Sequence, residues 1–391
     1  MAVRRFSFFF FTVFLSLTSV NAQQSRVPII IGIDADFSAV AAEGGTAIKR
    51  GVELAVEEIN LAGGILGRPV EIIPLDHRGN PARGIDNIKQ LGQRDDLLAI
   101  VGGVHTPVLL AEIETIHKFD ALMLVPWAAG TPIIDNGYSP NNVFRISVRD
   151  SEAAPVLVEH AINQGYTSLA LVLERTGWGR SNLIALQKAA DEKKVSISSV
   201  HWINWQQTDF SEDISAIKRN NTEAIILVSN APEGSVVLNE MAKQKLTSFP
   251  VISHWGIASG NLASRLSTPI HQFNLSVLQT FHFDRQKNNK ASRLFMKYKE
   301  KYGASDTTSI KATTGLAHAY DLTHLIANAA KQANSTNINA LREALESIPY
   351  YEGVVKNYAP PFTENKHDAL WSEDYFMTRF NELGDLVYSG N

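Results

Sequence analysis

Along residues 48–91 the apolar positions switch between helical and strand periods. Ile48, Val52, Ala55, Val56 and Ile59 recur at three- and four-residue spacing, with Lys49, Arg50, Glu53 and Glu57 on the opposite face. This predicts an amphipathic helix with one apolar stripe. Gly63 and Gly64 end it, since glycine takes the left-handed conformation of a helix stop without steric penalty. Residues 70–75 (VEIIPL) read as a short buried strand. Asn80-Pro81 opens the next helix, with Asn as N-cap and Pro at the first helical position. Helix, strand and helix in so short a span predict a parallel α/β sheet.

The same alternation runs through the chain. Residues 27–34 (VPIIIGID) form a continuous apolar run and read as a central strand, with further strands at 98–102 and 122–126. Their C-terminal ends carry Asp34-Ala35-Asp36-Phe37-Ser38, Gly103-Val104-His105-Thr106-Pro107 and Trp127-Ala128-Ala129-Gly130-Thr131-Pro132. Ligands of open α/β sheets bind outside the carboxyl ends of the strands, so these three loops should share one rim. Residues 143–148 read as a strand leaving this first half, and Arg149-Asp150-Ser151 starts a helix.

A second half then repeats the pattern. Strands are expected at 168–173, 195–202, 224–228, 250–253 and 277–281. The first ends at Glu174-Arg175-Thr176-Gly177-Trp178-Gly179, the third at Ser229-Asn230-Ala231-Pro232-Glu233 and the fourth at His254-Trp255-Gly256. Helices follow at 292–301, 311–332 and 338–347, then a loop-rich stretch at 350–374 broken by Pro360-Pro361, and a last strand at 375–380. The pattern alone would cut the chain near 148.

With 391 residues the chain exceeds a comfortable single core, which supports two domains. The formal net charge of −4 argues against nucleic acid as a partner, because that would need a basic patch. Arg4 and Arg5, the apolar run 6–17 and Val20-Asn21-Ala22 have the layout of a secretory signal peptide, with cleavage expected after Ala22. The apolar run is short for a retained span, so no stable membrane insertion is expected after cleavage. The absence of cysteine leaves no disulfide and no lipid-attachment thiol.

The chain offers little for catalysis. No HExxH spacing, G-x-S-x-G elbow or Walker A loop is present, so no metal or cofactor is expected. Arg175-Thr176-Gly177-Trp178-Gly179 has too few glycines for a phosphate cradle. Thr106-Pro107 is the best-motivated ligand contact: an N-cap threonine before proline leaves backbone N–H groups and a positive dipole end facing the rim. The plain alternative is a simple cap. Thr131-Pro132 repeats the arrangement, and Ala128 and Ala129 let a ligand approach the backbone. Asn230, Ala231 and His254 lie on the rim loops of the second half, with Glu233 as a helix-dipole partner.

The stretch GVELAVEEINLAGGILGRPVEIIPLDHRGNPARG resembles the first βαβ region of type I periplasmic substrate-binding proteins, in particular the branched-chain amino-acid receptors of ABC transporters. The resemblance covers nearly all of the mature chain and fades in the C-terminal 80 residues. It implies a two-lobed α/β fold, each lobe a mostly parallel doubly wound sheet, with a three-stranded hinge and the ligand cleft between lobes. Lobe 1 would comprise 23–147 and 285–373, and lobe 2 would comprise 148–284 and 374–391. It also implies a periplasmic, non-enzymatic receptor whose partners are a small-molecule ligand and a membrane ABC permease.

In similar receptors the loop matched by 126–131 binds the ligand's carboxylate and amino group, and here Thr131 would replace the usual hydroxyl at Ala129 or Gly130. Trp178 stands where relatives carry tyrosine, and Trp255 where they place an acid for the ligand's ammonium group, with Asp36 a substitute or simply a turn residue. The ligand-binding set expected is Asp36, Phe37, His105, Thr106, Trp127, Ala128, Ala129, Thr131, Trp178, Asn230, Ala231, His254 and Trp255. Trp127, Trp178 and Trp255 suggest a carboxylate or amide ligand with an apolar or planar body. A sensory module without transport is the alternative, and a periplasmic hydrolase a third.

Overall fold

The first strand, β1 (Ile29–Ala35), is buried at every position because strands flank it on both sides and helices cover both faces. The computed structural model describes residues 27–388; the signal peptide read at 1–22 lies outside them. From β1 the chain alternates through α1 (Ala42–Leu61), β2 (Val70–Asp76), α2 (Pro81–Gly92), β3 (Leu97–Gly102), α3 (Thr106–Lys118), β4 (Met123–Val125) and β5 (Val143–Arg145). These strands form one five-stranded sheet in the order β2-β1-β3-β4-β5, parallel throughout.

A second alternating run follows: α4 (Asp150–Asn163), β6 (Ser168–Glu174), α5 (Gly177–Lys193), β7 (Ser196–Ile203), α6 (Ser211–Arg219), β8 (Ala224–Val228), α7 (Ala231–Lys243), β9 (Val251–Ser253) and β10 (Leu275–Gln279). The chain then forms α8 (Asn289–Tyr302), α9 (Thr313–Ala333), α10 (Ile338–Ser347) and a hairpin of β11 (Tyr351–Glu352) with β12 (Asn357–Tyr358). It ends in β13 (Phe376–Phe380) and β14 (Leu386–Val387). The second sheet has the order β14-β13-β10-β9-β8-β6-β7, antiparallel only at its β13 and β14 edge.

The helices after β10 return to the first sheet. Gly51 of α1 and Leu316 of α9 pack so closely that a Cβ on Gly51 would come within 2.3 Å of the Leu316 carbonyl oxygen. Asp368 bridges to Arg145 at the end of β5, after which the chain re-enters the second sheet at β13. It therefore passes between the two lobes three times. None of the helices among the described residues is long and apolar enough to cross a membrane.

Two local features depart from the sequence reading. Helix α1 begins at Ala42, ahead of its apolar stripe, with Gly44 and Gly45 in its first turn. A Cβ on Gly45 would lie 1.9 Å from the Asp36 carbonyl oxygen, so glycine here serves close packing against the β1–α1 turn. The stretch 350–374 contains the β11–β12 hairpin, tied down by buried Asp321, which accepts from the Val354 and Val355 amides and the Tyr358 hydroxyl.

Candidate functional site

The loops after β1, β3 and β4 do form one rim. Asp36, just beyond β1, accepts from the amides of Ser38, Ala39 and Ala41 at 3.2, 2.7 and 3.0 Å, and from His105 Nε2 at 2.9 Å. Burial would raise its pKa, but the His105 and backbone hydrogen bonds outweigh that and hold it at about 2. With Asp36 ionised, the proton of His105 sits on Nε2. Thr106 Oγ1 accepts from the Gly130 amide at 3.2 Å, so its own proton can still be donated elsewhere. Arg145, fully buried, donates Nη1 to the carbonyls of Ala128 and Gly130 and Nε to Asp368, while Ser147 Oγ donates to the Trp127 carbonyl. These bonds fix the loop 127–131 from beneath.

One layer below lies a buried acid pair. Asp34 and Glu112 lie together, and Asn87 donates to Asp34 Oδ1 at 2.7 Å, while Asp34 Oδ2 and both Glu112 carboxyl oxygens have no hydrogen-bond partner. Burial pushes Asp34 up to about 7 and Glu112 well above its ordinary value. Gly84 of α2 makes room, since a Cβ there would lie 1.9 Å from Glu112 Oε1.

In lobe 2 the corresponding rim is built on Glu174, the last residue of β6 and 1 % exposed. It accepts from Asn230 N at 2.6 Å, Asn230 Nδ2 at 2.8 Å and Trp205 Nε1 at 2.8 Å. Burial, and then repulsion from Glu233, push its pKa up to about 8. Glu233, in the first turn of α7, is also raised by burial, and its Oε2 has no hydrogen-bond partner. Asp150 accepts from Trp178 Nε1 at 3.2 Å and lies 3.3 Å from His254 Nε2. The Trp255 amide donates to His254 Nδ1, so the His254 proton is on Nε2, toward Asp150. Asp150 thus orients Trp178 directly.

The two rims meet. Trp127 stacks on Trp255 across the cleft, with ring centroids 5.0 Å apart, and Trp205 meets His105 edge-on at 5.4 Å. Thr131 N donates to Ser181 Oγ of α5 at 3.1 Å, and Gly44 N to the Ser259 carbonyl at 3.2 Å. Between them lies a small cavity, walled by Val104, His105, Thr106, Pro107, Trp127 and Ala129 from lobe 1 and by Glu174, Trp178, Trp205, Asn230 and Trp255 from lobe 2. The amino termini of α3, α5 and α7 converge here, none of them closed by an N-cap side chain.

Of the residues singled out from sequence, His105, Thr106, Trp127, Ala129, Trp178, Asn230 and Trp255 line this cavity. Asp36, Phe37, Ala128, Thr131, Ala231 and His254 do not reach its wall. Asp36 is engaged by the β1–α1 turn, Thr131 accepts from the Ser151 amide at 3.1 Å, and His254 sits behind the tryptophans. Sequence reasoning passed over Glu174 and Trp205 as ligand contacts. Glu174 carried a signal, an acid closing an apolar strand, whereas nothing local marks Trp205. No cluster that could hold a metal ion occurs among the described residues.

The profile of the periplasmic binding protein family matches residues 28–384. The chain is 27% identical over 257 residues to Leu/Ile/Val-binding protein homolog 3 of Brucella melitensis biotype 1, covering 63% of this chain and 68% of the relative. It superposes with a TM-score of 0.80 on the branched-chain amino acid transporter substrate-binding protein LivJ from Streptococcus pneumoniae, solved with isoleucine, at 20% identity over 92% of this chain and 99% of that one. A solute-binding protein of an ABC transporter from Rhodopseudomonas palustris BisB5, solved with 3,4-dihydroxybenzoic acid, gives 0.76 at 15% identity, covering 92% and 95%. At these identities the two structures establish the shared fold.

Proposed function

The chain belongs to the type I periplasmic binding protein family, on its Leu/Ile/Val-binding-like branch, and from that premise we propose that it is a periplasmic receptor of an ABC importer. It captures a small polar metabolite by closing two lobes on it, and the closed form is what a membrane permease would recognise. Export would begin with removal of residues 1–22. The observation that carries this reading is the cavity itself: its wall is contributed by both lobes, and Trp127 of one lobe stacks on Trp255 of the other. A ligand touching both rims stabilises the closed form by its differential affinity.

The α3 amino terminus and the Thr106 hydroxyl suit a carboxylate or amide oxygen on the lobe 1 side, where the helix dipole contributes roughly 0.3–1 kcal/mol. The neighbouring folds hold ligands as different as isoleucine and 3,4-dihydroxybenzoic acid. The fold therefore leaves the ligand open, and only the wall residues can decide it.

The test is a thermal-shift screen of small metabolites on the mature chain, followed by small-angle scattering with each hit. A true ligand at a hundredfold its Kd adds about 2.7 kcal/mol to the folded state, and scattering should show compaction. Hits that leave the scattering unchanged, or no hits at all, would count against a closing receptor.

A further inference from the structure

We infer that the ligand carries a quaternary ammonium group, held against the tryptophan wall of the cleft beside Glu174. This rests on the receptor reading above and names the chemistry of the ligand's second end. Four of the chain's six tryptophans, Trp127, Trp178, Trp205 and Trp255, line the cavity. Aromatic faces gathered around one small space attract cations through the ring quadrupole, and methylated ammonium groups are their usual guests.

Charge points the same way. Glu174 is buried in the wall, Glu233 lies close enough to repel it, and no lysine or arginine lines the cavity. Its three hydrogen-bond donors are neutral amide and indole groups. A cation entering from solvent would be the first full positive charge to face this carboxyl group.

The acceptor inventory separates a quaternary from a primary ammonium. An –NH3⁺ group brings three donors and needs acceptors to replace water. Glu174 Oε1 already accepts two hydrogen bonds and Oε2 one, and Asn230 Oδ1 accepts from Ser259 Oγ. With three of its roughly four acceptor positions filled, Glu174 offers a primary ammonium few partners in this wall. A trimethylammonium group has no donors, so it needs only aromatic faces and a nearby negative charge.

Proton linkage gives a second readout. Glu174 is largely protonated at neutral pH, since its pKa is pushed up to about 8 by burial and by Glu233. Entry of a cation should ionise it and release a proton. Glu233 on α7 is the titratable group that repels Glu174, and Glu233 is itself under the influence of His105 from the opposite rim and of Arg265.

The experiment is calorimetric titration of the mature protein with choline, trimethylglycine, 3,3-dimethylbutan-1-ol, leucine and 4-hydroxybenzoate. Choline and the butanol share a shape and differ in charge. The inference predicts that choline or trimethylglycine binds at least about tenfold more tightly than the butanol, with proton release at pH 7 that E174Q abolishes. Trp205→Ala should weaken the same ligand by roughly tenfold. Equal binding of choline and the butanol would overturn it, and so would binding of leucine or 4-hydroxybenzoate without either ammonium compound. In the latter case the receptor reading stands. If the panel and the wider metabolite screen both give no binding and no compaction, the receptor reading fails with it.

Discussion

Asp36 and Glu174 occupy equivalent places in the two lobes, each a buried carboxyl at the carboxyl end of its lobe's first strand, yet their charges are handled in opposite ways. Asp36 takes three backbone amides and His105, and is held at about 2. Glu174 takes three neutral donors, faces Glu233, and is pushed up to about 8. The lobe 1 carboxylate is fully engaged in shaping its own turn. The lobe 2 carboxyl is left without a compensating cation in the wall of the cavity. If the ligand is the cation inferred above, lobe 1 would serve as the platform and the ligand's charge would be read by lobe 2.

The most severe way to break this contrast is at the platform's support. Arg145→Met would leave Asp368 with Arg149 as its remaining cation and free the carbonyls of Ala128 and Gly130. Breaking a buried ion pair by removing one partner costs about 3–5 kcal/mol, and urea unfolding should show a loss of that size. Glu233→Gln, which removes a repelling charge from lobe 2, should be neutral or stabilising in the same assay.

The next effect separates the two carboxyls by sign. The folded-state pKa of Glu174 lies above its unfolded value of 4.5, so the folded chain binds more protons between that pH and about 8, and this residue erodes stability as pH rises through the window. E174Q should therefore gain on the wild type between pH 5 and pH 8, by roughly 1–3 kcal/mol. Asp36 behaves oppositely. Its depressed pKa contributes stability above the unfolded value of 3.8 that is lost as pH falls through about 2. D36N should thus be less stable than wild type at pH 6 by about 1–2 kcal/mol, with the gap closing toward pH 2. Parallel pH profiles for the two variants would remove the distinction.

Much of the scaffold was legible in the sequence. Continuous apolar runs such as 29–33 mark strands buried on both faces, and the rim loops follow from the strand ends. The return of α8–α10 to the first sheet left no trace in composition; it came from the resemblance, and in the structure it rests on contacts such as Gly51 against Leu316. The tryptophan wall was half legible. Trp127, Trp178 and Trp255 stand on predicted rim loops, but Trp205 lies beyond β7, and its role depends on reaching both Glu174 and His105 from distant parts of the chain. Asp36 was offered as a partner for a ligand's ammonium group; in the structure the amides of its own turn surround it, a local arrangement that spacing alone does not distinguish.

The contrast between the rims can be tested at a single atom. Carbon-13 NMR of the Glu174 carboxyl carbon, assigned by its loss in E174Q, would follow its titration in the wild-type chain with and without saturating choline. The account predicts a midpoint well above the ordinary 4.5, near 8 without choline, and a fall of at least one unit when choline binds. A carboxyl that titrates near 4.5 in both states would contradict it, because Glu174 would then be ionised without a cation and choline would have no proton to displace.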